Sequence, residues 1–236
     1  MNLFKLFNYT NPITVDLHSH LLPGIDDGVR TIEESVAIIK KFKLLGYSKL
    51  ITTPHIISDL YPNNIEIITQ KLQEVQEALL KEKIDIEIEA SAEYYVDMKF
   101  LKLIESDELL PFKGNYILFE TAYGFRPMIL EQVIFSLQDK GYIPVLAHPE
   151  RYRYLHHDME LYKSLKAQGV LFQVNIKSLQ NRSRTIYKVA LKLINAGLVD
   201  FMGSDVHRMQ DIIKLKKTLQ SSAYKNAIKK NHLLNN

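Results

Sequence analysis

Cysteine is absent from the 236 residues of this chain. Its absence excludes disulfides, zinc-thiolate sites, iron–sulfur clusters and any cysteine nucleophile. Nor does one sign of charge dominate: 30 Lys and Arg face 27 Asp and Glu, a formal +3. So even a balance does not mark a dedicated nucleic-acid or membrane-surface binder. No apolar run approaches the ~18 residues of a membrane span, and Met1–Thr10 lacks the hydrophobic region and cleavage site of a secretory signal. A cytoplasmic address is therefore expected. Low-complexity tracts, Gly/Ser-rich linkers and solenoid-type repeats are missing too. With 46% hydrophobic residues to fill one large core, residues 1–236 read as a single domain, with a short extension over 1–11 and a helical tail over about 209–236. Within the extension, Leu3–Phe7 reads either as a weak membrane contact or as packing against the bottom of the fold.

What is present is an alternation. Ile13–His18, Lys49–Pro54, Asp85–Ala90, Tyr116–Glu120, Ile143–His148, Leu171–Asn175 and Val199–Ser204 are short β-branched runs that read as strands. Amphipathic stretches lie between them, among them Ile32–Leu45, Ile65–Lys83, Pro127–Asp139, Leu161–Ala167 and Thr185–Ala196. Several end at a glycine, as helix C-termini do. Strict β-α alternation implies parallel strands joined by right-handed crossovers, in either an open sheet or a closed barrel.

The polar residues favour the barrel. His18, His20, His55, Glu93, Glu120, His148, Asn175, Asp205 and His207 fall at or just beyond strand ends. In a parallel barrel these ends share one rim, whereas an open sheet would spread them too far apart. Asp16-Leu17-His18-Ser19-His20 places Asp16, His18 and His20 on one side of an extended segment, where side chains repeat every second residue. Asp205-Val206-His207 repeats the spacing with a carboxylate, and Thr53-Pro54-His55 and Ala147-His148-Pro149 each add one imidazole. One strand-end histidine is ordinarily just packed or solvated. The whole set is different, because crowded donors of this kind need a compensating cation. Imidazole with carboxylate suits Mn²⁺, Fe²⁺ or Zn²⁺, and ligand type does not rank the three.

The donors exceed what one ion needs, and Glu93 is placed to bridge two. Clustered divalent ions activate water and neutralise charge during in-line displacement at phosphorus, which makes phosphate-ester hydrolysis the natural chemistry. Amide or amidine hydrolysis stays open. A phosphate also wants a guanidinium, and His148-Pro149-Glu150-Arg151 puts Arg151 beside a proposed ligand. Arg30, Arg126, Arg153 and Arg208 have less positional support. Asp26-Asp27-Gly28 reads on its own as a turn before a helix. Tyr94, Tyr95, Tyr123 and Phe125 read as rim packing rather than as a slot for a substrate ring. Lys214–Lys217 and Lys225–Lys230 read as the solvated side of late helices.

Together these residues resemble the polymerase and histidinol phosphatase (PHP) superfamily, specifically its bacterial tyrosine-protein phosphatases of capsule and exopolysaccharide clusters, the CpsB/CapC or YwqE-like group. The matching pieces run from Asp16–His20 and Pro23–Gly28 through Thr52–His55, Ala92–Tyr95, Ala147–Tyr152 and Gln173–Asn175 to Gly203–His207. The resemblance implies an α/β fold, a distorted single-domain (β/α)7 TIM-like barrel, with its metal site at the C-terminal ends of the strands. It implies three divalent ions, Mn²⁺ first and Fe²⁺ or Zn²⁺ as alternatives. His18, His20, His55, Glu93, His148 and Asp205 would hold two of them, while Asp27 and His207 help hold the third. Asp27 thereby changes from turn residue to ligand. The implied substrate is phosphotyrosine on protein, typically the tail of a membrane-associated bacterial tyrosine kinase that controls polysaccharide synthesis. No nucleic-acid partner and no stable membrane insertion are expected. The rivals are a small-molecule phosphatase of the histidinol phosphatase kind and a non-catalytic module that binds the kinase tail.

One departure stands out. Relatives commonly carry a second phosphate-binding arginine several residues after the final Asp-x-His, but here Arg208 follows His207 directly and Met209–Thr218 has none. Arg208 from a shifted loop, Arg126 from the loop after the fourth strand, or Arg151 alone are the three solutions left open.

Overall fold

In the computed structural model, residues 11–180 and 184–236 are described; the Leu3–Phe7 segment lies outside them. The chain begins with β1 (Val15–Asp16) and α1 (Ile32–Leu44), then β2 (Lys49–Thr52), β3 (His55–Ile56) and α2 (Ile65–Lys81). Next come β4 (Glu87–Ala90), β5 (Glu93–Tyr95), α3 (Met98–Glu105), β6 (Tyr116–Glu120) and α4 (Leu130–Asp139). The second half continues with β7 (Ile143–Ala147), α5 (Met159–Ala167), β8 (Leu171–Asn175) and α6 (Thr185–Asn195), and ends with β9 (Phe201–Gly203), α7 (Met209–Leu219) and α8 (Ser222–Lys230). Helix α3 was not foreseen. At eight residues it is too short for a periodic signal, yet Asp97 caps it by accepting from Phe100 N–H, and Phe100, Leu101 and Ile104 are buried. The chain after Lys230 is not helical.

All ladders are parallel, in the orders β1-β2-β4 and β3-β5-β6-β7-β8-β9. The two sheets are one surface with a break. β2 runs into β3 through Pro54, which has no N–H for a ladder, and β4 runs into β5 through Ser91 and Ala92. Across the break, Ser91 N–H donates to Thr52 O (2.9 Å) and Glu93 N–H to Pro54 O (3.0 Å). Nine segments thus occupy the seven expected strand positions. The ring closes between its first and last members at the mouth, where Asp205 N–H donates to His18 O (2.7 Å) and His20 N–H to Val206 O (2.9 Å). At the other end the Asn235 amide bridges the same gap, accepting from Met202 N–H (2.9 Å) and donating to Val15 O (3.2 Å). The distorted (β/α)7 barrel is therefore the fold.

Strand pleat separates two apolar regions, since paired residues in register face the same side. Leu50, Phe119, Phe172 and Met202 face outward and pack with helix residues such as Ile39, Val75, Leu137 and Leu193. Leu17, Ile51, Leu118, Val145 and Phe201 fill the interior, with Phe112 from the loop before β6. Burying each such side chain contributes about 1.5–3 kcal/mol. Toward the strand ends the inward positions turn polar: Leu118 gives way to Glu120, and Leu171 to Gln173 and Asn175. Among the described residues, no helix is long and apolar enough to cross a membrane.

Candidate metal centre

The polar mouth is assembled from the ends of β1, β3, β5, β6, β7 and β9. His18 and His20 follow β1, and the chain can hold them there because Gly203 of β9 has no side chain. A Cβ on Gly203 would lie 2.8 Å from His18 Cβ and 2.6 Å from Gln173 Nε2, closer than packing permits. His18 Nδ1–H donates to Gln173 Oε1 (2.6 Å). An amide oxygen only accepts, so Nδ1 carries a proton and Nε2 is the nitrogen turned to the site, 3.2 Å from Glu93 Oε2 and 3.8 Å from Asp205 Oδ1. His20 is oriented the same way by a carboxylate, with Nδ1 2.7 Å from Asp26 Oδ2 and Nε2 3.5 Å from Glu93 Oε2. Asp26 also accepts the backbone N–H groups of Gly28 and His55, which ties this loop to β3. Asp16, expected on the same side as the imidazoles, is instead engaged by Ser204 N–H (2.8 Å) and Ser204 Oγ (2.7 Å). It braces β1 against β9.

The other predicted residues meet the same point. His148 Nε2 lies 2.9 Å from Glu93 Oε1. His55 Nδ1 lies 3.2 Å from Glu93 Oε2 and 3.1 Å from Glu120 Oε1. Asp27 Oδ1 sits between His55 Nε2 (3.5 Å) and His207 Nε2 (3.3 Å), and His207 Nδ1 is 3.2 Å from Asp205 Oδ1. All eight predicted donors thus share one mouth. They fall into four overlapping sets, each with its donor atoms within 4.8 Å of one another: His20, Asp27, His55 and His207; His18, His20 and Asp205; His18, Glu93 and His148; His55, Glu93 and Glu120. Glu120 was noted only as a strand-end residue. Its signal was its register opposite Tyr95 of β5, one inward step beyond Leu118.

Charge and burial both ask for cations here. Burial favours a neutral Glu93, yet the surrounding His18 and His55 hold its carboxyl well below the usual range. Burial likewise disfavours a charged His18 and His55, but Glu93 carries them up to about 9 and about 10. Burial, reinforced by His207, pushes His20 down to about 4; burial with Arg151 does the same to His148. Protons on some imidazoles thus partly balance the acids. His55 Nδ1, His148 Nδ1 and Glu93 Oε1 are buried without a hydrogen bond of acceptable geometry, although His55 Nδ1 is close to two carboxylates. Imidazole nitrogens and carboxylate oxygens converging on one point, some of them buried without a hydrogen bond, fit borderline divalent cations. His148 and Asp205 also carry left-handed backbone, with φ of 34° and 50°; such strain costs about 1–3 kcal/mol per residue and gathers at functional sites.

A cavity of about 320 Å³ opens over the cluster, walled by Tyr123, Arg151, Lys177, Arg208 and Gln210. Arg151 Nη1 donates to Asp205 Oδ2 (3.1 Å), and its guanidinium lies 4.6 Å over the Tyr123 ring. Lys177 was missed because it stands in no motif. Its Nζ is 2.9 Å from the same Asp205 Oδ2 and 2.6 Å from Asp205 O. Asn175 donates to Oδ2 as well (2.6 Å). Asp205 therefore presents Oδ1 to the imidazoles and Oδ2 to two cations. Of the two distant candidates for a second clamp, Arg208 lines the cavity, whereas Arg126 is ion-paired with Glu131 and does not. Tyr94 is buried and stacked on Phe100, while Tyr123 does face the cavity.

The profile of the CpsB/CapC family, described as capsular polysaccharide synthesis, matches residues 14–230. A putative tyrosine-protein phosphatase CapC of Staphylococcus aureus is 30% identical over 195 residues, covering 82% of this chain and 76% of that protein. A structure from work on YwqE of Bacillus subtilis and CpsB of Streptococcus pneumoniae, described there as metal-dependent tyrosine phosphatases, superposes with a TM-score of 0.77 at 28% identity, covering 92% and 93% of the two chains. Histidinol phosphate phosphatase of Lactococcus lactis, with a TM-score of 0.57 and 14% identity over 94% and 95%, shares the fold alone.

Proposed function

The chain belongs to the CpsB/CapC family of capsular polysaccharide synthesis, and from that membership and the mouth geometry we propose that it is a metal-dependent protein-tyrosine phosphatase. It hydrolyses phosphotyrosine on a protein, in this reading the tail of a membrane-associated bacterial tyrosine kinase, and it does so in the cytoplasm as one domain spanning 1–236. The observation that carries the proposal is the overlap of four donor sets at one mouth, directly beneath a cavity walled by Arg151 and Lys177.

In this proposal His18, His20, Asp27, His55, Glu93, His148, Asp205 and His207 would hold three divalent ions, with Glu93 shared between two donor sets and Glu120 as a further donor beside His55. Mn²⁺ is the first choice, Fe²⁺ and Zn²⁺ the alternatives. When bound, such ions supply Lewis-acid charge at the phosphoryl oxygens and acidify a water. The chain's own residues do the rest. Gln173 and Asp26 fix the tautomers of His18 and His20, so that each keeps a lone pair for the site. Arg151 stays charged, because Asp205 and the other nearby acids outweigh the cost of its burial. It donates to equatorial phosphoryl oxygens, where its charge counts most as the transition state develops. The Tyr123 ring holds the guanidinium flat at the cavity wall. Lys177 adds a second cation on the Asp205 side. Because no cysteine exists, the leaving phenolate departs without a cysteinyl phosphate.

Purified protein should release phosphate from a phosphotyrosine peptide and from p-nitrophenyl phosphate, stop on treatment with chelator, and recover with Mn²⁺. Elemental analysis of the same preparation should find up to three ions per chain. Turnover of histidinol phosphate with no activity on the peptide would overturn the substrate, and activity unaffected by chelator would overturn the metal dependence.

A further inference from the structure

Beside the reaction cavity lies a second one of about 360 Å³, formed between the segment after β8, the start of α6 and α7. It shares Arg151, Lys177 and Lys214 with the first and adds Arg184, while Ile186 and Tyr187 supply an apolar side. Among the described residues, four cationic ones line it and no acidic one does. A third cavity, which meets it at Arg151, Arg184 and Ile186, adds Arg153 and again no acid. In a chain with 30 basic and 27 acidic residues, this is a local segregation of charge rather than a general excess. Arg151 and Lys177 lie on Asp205. Lys214 reaches Asp211 only at 3.4 Å and is 54% exposed. No carboxylate pairs with Arg184 among the described residues.

We propose that this cavity is a subsite for a second anionic group on the substrate chain, so that the enzyme selects phosphotyrosines whose near neighbours carry carboxylate or phosphate. The inference rests on the phosphotyrosine reading and specifies which such sites are taken. A peptide whose phosphotyrosine enters the reaction cavity must leave past Arg151 and Lys177, and the next anionic side chain then meets Arg184 and Lys214. Ile186 and Tyr187 cover the methylenes or ring of that neighbour. Guanidinium and ammonium donors bind either anion by charge-assisted hydrogen bonds.

The test compares peptides that differ only beside one phosphotyrosine: neutral flanks, a glutamate, or a phosphoserine, each placed in turn on either side. The anionic flanks should raise kcat/KM by about tenfold at low salt, equivalent to a 1.4 kcal/mol gain. In Arg184→Ala/Lys214→Ala that ratio should fall below about twofold, and in Arg184→Lys/Lys214→Arg it should persist. A larger gain with phosphoserine than with glutamate identifies phosphate as the preferred source; equal gains identify charge alone. Fluorescence anisotropy of a phosphoserine peptide with unphosphorylated tyrosine reads the subsite without turnover, and the double alanine variant should weaken its binding about tenfold. Failure of every peptide to be hydrolysed would defeat the phosphatase reading, while the anisotropy still decides the subsite. Equal kcat/KM for neutral and anionic flanks, or a preference that survives in the alanine variant, would overturn the proposal. So would loss of phosphatidylserine-vesicle binding in that variant with both peptide readouts intact, which would make the groove a membrane contact.

Discussion

The interior of the barrel and its mouth are built from the same strands, only a few residues apart, and they obey opposite rules. Inside, Leu17, Ile51, Leu118, Val145 and Phe201 meet one another and have no polar work to do. At the mouth, Glu93, His18, His148 and Asp205 are as deeply buried as those leucines, but they crowd charge and lone pairs together. Two of them sit on left-handed backbone. The interior stabilises through burial; the mouth draws on that stability to hold a constellation that would not gather alone. Substitutions in the two regions should therefore separate stability from activity.

The largest effect is expected at the centre of the mouth. Glu93→Gln should reduce kcat/KM by about 10³-fold or more and lower the metal content, since Glu93 joins two of the donor sets. Steady-state kinetics with elemental analysis reads both quantities; a variant with full metal and near-normal kcat/KM would break the contrast. Leu118→Ala, one layer below, should do the reverse. It should cost about 2–5 kcal/mol of stability in chemical denaturation, while the folded fraction keeps its metal and turnover. Asp26→Asn probes a residue that touches His20 without belonging to any donor set, and it should weaken metal affinity by about 10–100-fold. Titration of chelator-stripped protein would show this, and unchanged affinity would remove Asp26 from the account.

The last effect is graded with pH. In the metal-free protein His18 and His55 are held protonated up to about 9 and about 10, so a cation must displace those protons. Metal affinity should therefore rise with pH from 6 to 9, by roughly tenfold per unit for each proton released, and level off above those values. Calorimetry in buffers of different ionisation enthalpy counts the protons. Affinity that falls with rising pH in this window would contradict the charge arrangement.

Much of this was legible in the sequence because two periodicities coincide with chemistry. Period-2 spacing in His18-Ser19-His20 and Asp205-Val206-His207, set at strand ends in a β-α alternation, was enough to locate the mouth. What stayed hidden depends on register and on long-range contact. Gln173 orients His18 across 155 residues of chain, and although it stands in a motif of the resemblance, nothing in its neighbourhood gives it that role. Lys177 reaches Asp205 only because β8 and β9 are adjacent. Asp26 and Asp27 are neighbours in a Gly-bearing turn; the family resemblance singled out Asp27 as a donor, but only the fold shows that Asp26 braces an imidazole. Asp16 went the other way, since the extended segment does not keep strict alternation and its carboxylate turns to Ser204. The breaks in the second and third strands followed Pro54 and Ser91-Ala92, where a reading by runs sees one strand each.

The central claim is that the imidazoles and acids at the barrel mouth hold divalent cations. Anomalous diffraction at the manganese edge from crystals grown with Mn²⁺ tests it most directly. Peaks are expected within the ring of His18, His20, His55, Glu93, His148, Asp205 and His207, with Asp27 beside the outermost; an active crystal with no anomalous density there, or with its ions bound elsewhere on the molecule, would refute metal binding at the mouth.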